Sequence, residues 1–181
     1  MNNIQFEIAA KKIKLLLFDC DGVLSDGKIV LGTGQSEMKF FSAKDGMGID
    51  LWRKAGFMCG CISGRTSEAL SIRSKELYFD ELHQNISNKR LVLKEILSRR
   101  SIDAAETAYI GDDVNDLRLF GEVGIFMAPA DAHSQVTRRA DRVLTFHGGN
   151  GAIREAIDMI LDAKKLSDGL VEDYLSKQNL M

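Results

Sequence analysis

The sequence has little of what marks a linker or a membrane span. Proline occurs once in 181 residues, and no Pro-rich or Ser-rich stretch divides the chain. No apolar run reaches the roughly 18 residues that a membrane-spanning helix needs. The opening MNNIQFEIAAKKIK also lacks the apolar core of a secretory signal. These absences predict a single cytoplasmic domain over residues 1–181.

Cysteine is scarce and odd in number. Cys20, Cys59 and Cys61 each lie in an apolar run typical of a strand, which favours buried, reduced thiols over disulfides. The three histidines do not stand at a spacing that would complete a Cys/His metal site. The formal net charge of −2 and 28% charged residues indicate a globular protein rather than a basic nucleic-acid binder, and no nucleic-acid or membrane partner is expected.

Apolar runs alternate with helix-like segments along the chain. Strands are predicted at 13–18, 56–62, 107–110 and 123–128, and helices at 48–55, 68–77, 88–99, 114–120 and 152–166. The IKLLLF run at 13–18 is apolar almost throughout, as in a parallel strand buried on both faces. The alternation predicts an α/β fold, a doubly wound parallel sheet with helices on both faces.

One segment departs from this alternation. Residues 28–41, KIVLGTGQSEMKFF, contain two strand-like runs around a Gly-containing turn and predict a β-hairpin after the first strand. The hairpin is too small to form a cap domain, so a lid over any site must be small or come from another subunit. The tail at 166–181 is amphiphilic and predicts either a short helix or a mobile end.

Polar residues follow the predicted strands, and the carboxyl ends of parallel strands meet at one edge of a sheet. The residues that should converge there are Asp19, Asp21, Ser63, Arg65, Asp112, Asp113 and Asp116. Several carboxylates in one crevice repel one another unless a cation lies among them. Oxygen ligands favour a hard divalent ion, and Mg²⁺ is the usual choice beside a phosphate.

The order FDCDGVLSDG, ISGR, NK at 88–89 and GDDVND resembles the haloacid dehalogenase (HAD) superfamily of phosphatases. The resemblance implies that Asp19 is a covalent nucleophile and a metal ligand. It implies that Asp21 is the general acid and base, with its backbone carbonyl on the metal.

The same resemblance assigns the remaining motif residues. Ser63 and Lys89 would hold the phosphoryl oxygens, and Asp112 and Asp113 would bind Mg²⁺, the latter directly or through water. Asp116 would orient either Lys89 or the metal shell. Taken singly, Ser63 also fits a turn, Lys89 a solvated helix start and the Asp112–Asp113 pair a helix cap.

A narrower likeness extends over residues 13–164. DGVLSDGKI, KFFSAKDGMGI, SNK, YIGDDVND, APADAH and GGNGAIRE together resemble the 3-deoxy-D-manno-octulosonate 8-phosphate phosphatase family. Members are capless homotetramers in which neighbouring subunits help to close the site. The resemblance implies an eight-carbon sugar-acid phosphate as substrate.

Residues beside the motifs are expected to bind the substrate. Arg65 suits the sugar carboxylate because a guanidinium pairs with it bidentately, and Gly64 lies next to it. Lys44 stands where the family more often has Arg, and Asp45 is either a helix N-cap or a substrate contact. Two alternatives stay open. One is a nonulosonate 9-phosphate or another sugar phosphate as substrate, and the other is a non-catalytic assembly module.

Overall fold

A computed structural model of the chain describes residues 1–33 and 37–178. Six parallel strands form one sheet in the order β5-β4-β1-β6-β7-β8. The sheet strands are β1 (Leu15–Phe18), β4 (Met58–Ile62), β5 (Glu81–His83), β6 (Thr107–Ile110), β7 (Ile125–Ala128) and β8 (Arg142–Val143). The helices are α1 (Asn3–Ala10), α2 (Ala43–Lys54), α3 (Glu68–Glu76), α4 (Lys89–Arg100), α5 (Ser134–Thr137), α6 (Ala152–Ala163) and α7 (Ser167–Gln178).

Strand β1 explains why helices cover both faces of the sheet. Leu16 and Phe18 point into a core shared with α1, α2 and α6. Leu15 and Leu17 point into a second core shared with α4. Side chains alternate between the faces of a strand, so four successive apolar residues require cover on both faces. The predicted doubly wound parallel sheet is confirmed.

The predicted hairpin is also confirmed. Strands β2 (Val30–Leu31) and β3 (Glu37–Met38) pair antiparallel, with Val30 opposite Met38. The Gly-containing turn predicted between them includes residues 34–36, which lie outside the described residues. Phe41, just after β3, makes an antiparallel bridge to Ser25 and fixes the hairpin beside the loop that follows β1. No cap domain is inserted within residues 1–33 or 37–178.

Several predicted bounds are wrong. Helix α2 begins at Ala43 rather than at 48, because Ser42 is its N-cap. Its first turns contain Gly46 and Gly48, where side chains of other helices pack closely against the helix. A Cβ on Gly46 would lie 2.5 Å from Nη2 of Arg73. The predicted helix at 114–120 is a short 3₁₀ turn at Asp116–Leu119. Strands β5 and β8 have three and two residues, too few for a pattern to indicate them.

The tail forms α7 over most of its length, in agreement with the helical alternative.

Trp52, the one tryptophan, is fully buried and donates from Nε1 to the carbonyl of Met58 at 2.8 Å. Among the described residues, none of the helices combines the length and the apolar character required to cross a bilayer.

Candidate active site

The site lies at the carboxyl edge of the sheet, where the chain order reverses. From β1 the chain continues to β4 and β5 on one side, and it later returns to β6 and β7 on the other. Phe18 pairs with Cys61 of β4 and with Ile110 of β6. Asp19, the next residue, therefore emerges between the ends of the two neighbouring strands. In open α/β sheets this reversal is where ligands bind.

Asp19 is held by a buried ammonium group. Its Oδ1 atom lies 2.8 Å from Nζ of Lys89, and the two side chains are 9% and 2% exposed. Burial and the nearby negative charge of Asp116 raise the pKa of Asp19, Lys89 opposes them, and the resulting pKa is about 6. Above that pH the group is a carboxylate, the form that can attack an electrophile.

Lys89 is the first residue of α4 and has three oxygen partners. Besides Asp19, its Nζ donates to Oδ1 of Asp116 at 2.7 Å and to the hydroxyl of Tyr109 at 3.1 Å. Burial alone would lower the pKa of Lys89, but the carboxylates of Asp116 and Asp19 outweigh it and raise that pKa. Lys89 is thus a fixed positive charge directed at Asp19.

Asp116 is fully buried and uses both carboxylate oxygens. Its Oδ1 accepts from Lys89 and from the Tyr109 hydroxyl at 2.7 Å. Its Oδ2 accepts from the backbone N–H of Asp112 at 3.0 Å. The residue therefore links the Lys89 ammonium to the loop that carries Asp112. Tyr109, part of this cluster, was missed from the sequence because it reads only as an apolar strand residue.

Asp112 has an oxygen without a protein partner. Its Oδ1 atom is buried and makes no hydrogen bond to the described residues. Burial, together with the negative charges of Asp19, Asp116 and Asp113, raises the pKa of Asp112 to about 8. Only glycine fits at position 22, where φ is +88°, because a Cβ there would lie 2.1 Å from Oδ2 of Asp112.

The acidic cluster fits a divalent cation. Oxygens of Asp19, Asp112 and Asp116 all lie within 4.8 Å of one another. Asp116 is already saturated by protein donors, so Asp19 and Asp112 have the oxygens available to a metal. Asp113 is exposed, and its Oδ1 accepts from the N–H of Val114 at 2.7 Å. A hard cation with oxygen ligands such as Mg²⁺ would offset the repulsion within this cluster.

The end of β4 carries Ser63, Gly64 and Arg65. Ser63 is 2% exposed, and its backbone N–H donates to the carbonyl of His83 at 2.8 Å. Its Oγ accepts from the N–H of Arg65 at 3.2 Å. Gly64 is exposed, and the nearest atom of the described residues to the position of a Cβ there is the Ile86 carbonyl oxygen, at 3.8 Å. The loop therefore turns tightly and leaves the Arg65 side chain 46% exposed.

Two hairpin residues enter the site, and the sequence analysis missed both. The Lys39 ammonium makes an ion pair with Asp21 and lies 2.6 Å from Glu37. Glu37 in turn lies 3.0 Å from Nη2 of Arg65. The Nε atom of Arg65 is 3.8 Å from Oδ2 of Asp21. The alternation of inward and outward residues in the hairpin strand is the signal that could have indicated them.

Asp45, predicted as either a helix N-cap or a substrate contact, has a backbone hydrogen bond to each of its carboxylate oxygens. Asp45 is fully buried, and its carboxylate accepts from the backbone N–H of Gly151 at 3.1 Å and of Arg154 at 2.8 Å. Burial raises the pKa of Asp45, and these two donors oppose the rise. The residue ties α2 to the start of α6, and Ser42 is the N-cap of α2. Lys44 is exposed at the second position of α2.

Comparison with known proteins agrees with this geometry. Residues 61–157 match the family model of haloacid dehalogenase-like hydrolases. The 3-deoxy-D-manno-octulosonate 8-phosphate phosphatase of Escherichia coli K12 is 38% identical over 155 residues, which cover 86% of this chain and 82% of that relative.

Solved structures extend the likeness to nearly the whole chain. The Moraxella catarrhalis 3-deoxy-D-manno-octulosonate 8-phosphate phosphatase, in complex with magnesium, phosphate and KDO, is 32% identical with a TM-score of 0.92. The match covers 96% of this chain and 99% of that one. The cobalt-bound Haemophilus influenzae enzyme is 36% identical with a TM-score of 0.84, covering 87% and 92%. The chain belongs to the 3-deoxy-D-manno-octulosonate 8-phosphate phosphatase family of haloacid dehalogenase-like hydrolases.

Proposed function

We propose that the chain hydrolyses 3-deoxy-D-manno-octulosonate 8-phosphate to the free sugar acid and inorganic phosphate, with Mg²⁺. The observation that carries the chemistry is the Asp19 carboxylate at the end of β1, 2.8 Å from the buried ammonium of Lys89. The substrate follows from the relatives that carry this activity in their names. An exposed Arg65 at the same edge supports a carboxylate-bearing sugar.

The first step is attack of an Asp19 oxygen on phosphorus. The bond to Asp19 forms while the bond from phosphorus to the sugar oxygen breaks, and Asp21 gives its proton to that oxygen. Asp21 then takes a proton from water, the water oxygen attacks phosphorus, and Asp19 is released with inorganic phosphate. Lys89 and Ser63 hold the phosphoryl oxygens through both transfers.

Mg²⁺ would be held by the carboxylates of Asp19 and Asp112 and by the backbone carbonyl of Asp21, with Asp113 beside them. When bound, the ion neutralises charge on the phosphoryl group. Asp116 keeps the Lys89 ammonium in place and the loop of Asp112 in register through the hydrogen bonds described above. Arg65, with Gly64 beside it, would take the sugar carboxylate, and Lys44 stays a prediction for a second contact.

The assembly and the location are also proposals. Exposed apolar side chains on the hairpin, described below, support contact with further copies of this chain, as in a homotetramer. All three cysteines are buried free thiols, which supports a reducing, cytoplasmic location.

The test is phosphate release with Mg²⁺ from three kinds of substrate. They are 3-deoxy-D-manno-octulosonate 8-phosphate, a nonulosonate 9-phosphate and a panel of hexose phosphates. We expect kcat/KM to be highest for the octulosonate, and to exceed that for the hexose phosphates by at least about tenfold, because these lack the carboxylate that Arg65 would bind. Equal or faster release from the nonulosonate would overturn the substrate assignment. Absence of release from every compound would favour an assembly module.

A further inference from the structure

The second strand of the hairpin sends alternate side chains to opposite sides. The side chains of Glu37 and Lys39 are 13% and 1% exposed. Met38 and Phe40, between and after them, are 55% and 59% exposed as residues. This two-residue period directs Glu37 and Lys39 to the active site and leaves the apolar residues outside.

Lys39 is the closest charged partner of Asp21 among the described residues. Its ammonium makes an ion pair with Oδ1 of Asp21, and the nearest guanidinium atom, Nε of Arg65, lies 3.8 Å from Oδ2. The hydroxyl of Ser25 also donates to Oδ1, at 3.4 Å. Oδ1 is therefore committed to protein donors, and Oδ2 is the oxygen free to exchange a proton with a substrate.

Glu37 fixes Lys39 from its other side. Its carboxylate lies 2.6 Å from the Lys39 ammonium. Burial alone would lower the pKa of Lys39, but hydrogen bonds to Asp21 and Glu37 outweigh it and raise that pKa. A cation with a 1% exposed side chain and two carboxylate partners has little freedom to move. The hairpin thus delivers a rigid positive charge to Asp21.

We propose that Lys39 is a positioning residue for Asp21. By holding Oδ1, it directs Oδ2 toward the leaving oxygen, and Glu37 keeps Lys39 in place. The proton moves from Oδ2 to the leaving sugar oxygen in the first transfer and from water to Oδ2 in the second, while Lys39 keeps its charge. The inference rests on the acid and base role proposed above for Asp21.

The test compares two leaving groups with Mg²⁺-loaded protein. A sugar alkoxide needs a proton as it departs, whereas the nitrophenolate of p-nitrophenyl phosphate departs without one. We compare kcat/KM, which reports the transfer to Asp19. For Lys39→Met we expect a loss of about 10–100-fold with the sugar-acid phosphate and under about threefold with p-nitrophenyl phosphate. Lys39→Arg, which keeps the charge, should recover part of the loss.

Two variants control for general damage. Lys28→Met removes an exposed lysine at the start of the hairpin, whose ion pair within the described part of the chain is with Asp26 at 2.8 Å, and should leave both rates unchanged. Glu37→Gln keeps the shape of the second carboxylate partner of Lys39 and removes its charge. It should give the same selective loss, about 3–10-fold. It provides the test if Lys39→Met does not fold, as judged by Trp52 fluorescence.

Asp21→Asn separates the two ways in which the inference could fail. If Asp21→Asn lowers both rates equally, the acid role of Asp21 is wrong and the role of Lys39 falls with it. If Asp21→Asn is selective for the sugar-acid phosphate but Lys39→Met and Glu37→Gln lower both rates equally, only the positioning role is wrong. Selective loss in all three variants supports both when it appears in kcat with KM unchanged, because a disturbed contact between Arg65 and the sugar carboxylate would raise KM instead.

Discussion

The Nζ atom of Lys89 lies 2.8 Å from Oδ1 of Asp19, and Lys89 is itself held at 2.7 Å by Asp116. This arrangement fixes a positive charge next to the Asp19 carboxylate. A phosphoryl group that approaches Asp19 therefore meets an ammonium that is already oriented. Positioning and charge neutralisation of this kind supply most of the catalysis in phosphoryl transfer.

The first prediction concerns Asp19→Asn. The amide has the same shape and can still accept from Lys89, so we expect the fold to be kept. An amide oxygen is a poor nucleophile, so phosphate release should fall by about 10³-fold or more. The measurements are phosphate release under saturating Mg²⁺ and urea unfolding followed by Trp52. Near-normal turnover in a folded variant would rule out the covalent mechanism.

The second prediction concerns the pH dependence of the metal-free chain. Folding raises the pKa of Asp112 from its ordinary 3.8 to about 8, because the carboxyl group is buried among other acids. The protonated form of Asp112 therefore stabilises the folded state, and this contribution is complete below about pH 4. This contribution is lost as pH rises through 8. Without Mg²⁺, the chain should become less stable across this interval.

Asp112→Asn isolates that contribution. At pH 8 without metal, we expect the variant to be more stable than the native chain by about 1–3 kcal/mol, since it removes a buried charge. Saturating Mg²⁺ should stabilise the native chain and not the variant. Thermal unfolding at pH 5 and pH 8, with and without Mg²⁺, is the measurement. Equal stabilisation of both chains by Mg²⁺ would exclude Asp112 as a ligand.

The sequence was sufficient for the parts of the site that lie at strand ends. Asp19 and Asp112 follow strands whose apolar runs are unmistakable, so their convergence followed from the topology of a parallel sheet. The buried pairing of Lys89 with Asp116 was expected only from resemblance, since 27 positions separate the two residues. Sequence spacing does not reveal which distant charges meet inside a fold.

Lys39 and Glu37 show why the rest was missed. In the sequence both residues belong to a hairpin whose polar side chains read as solvent-exposed. Their burial depends on the hairpin lying against the loop after β1, which the Ser25–Phe41 bridge fixes. The backbone partners of Asp45 were missed for the same reason, because they are 106 and 109 positions away at the start of α6.

The third prediction tests the structural role of Asp45. Its carboxylate satisfies two backbone N–H groups at the start of α6, so Asp45→Asn should lower the free energy of unfolding by about 1–3 kcal/mol. The folded variant should keep its KM for the sugar-acid phosphate. Urea denaturation followed by Trp52, together with steady-state kinetics, measures both effects.

Asp50 offers a matched control on the same helix. Its carboxylate is 40% exposed and, among residues 1–33 and 37–178, forms an ion pair with Lys54 alone, at 2.6 Å. Asp50→Asn should therefore change stability by less than about 0.5 kcal/mol. If Asp45→Asn raised KM severalfold and changed stability no more than Asp50→Asn does, the result would support a substrate contact by Asp45 instead.

The last prediction concerns the outer side of the hairpin. The exposed apolar residues there are Met38 and Phe40, at 55% and 59% exposed, and Val30 pairs with Met38 on the same side. Exposed apolar clusters of this kind mark contact surfaces. The double substitution Met38→Glu and Phe40→Glu should weaken assembly strongly, because each buried carboxylate would lack a partner. It should leave the ion pairs of Glu37 and Lys39 intact, because those side chains point the other way.

Light scattering of the native chain and the double variant measures this effect. We expect a tetramer for the native chain and a smaller species for the variant, with slower phosphate release if neighbouring subunits close the site. Leu91→Glu, at a residue of α4 that is 57% exposed and far along the chain from the hairpin, should leave the tetramer unchanged. A native monomer with full activity at assay dilution would refute the shared site. An unchanged tetramer in the double variant would show that Met38 and Phe40 lie outside the interface, because burying two carboxylates there would cause a large loss of affinity.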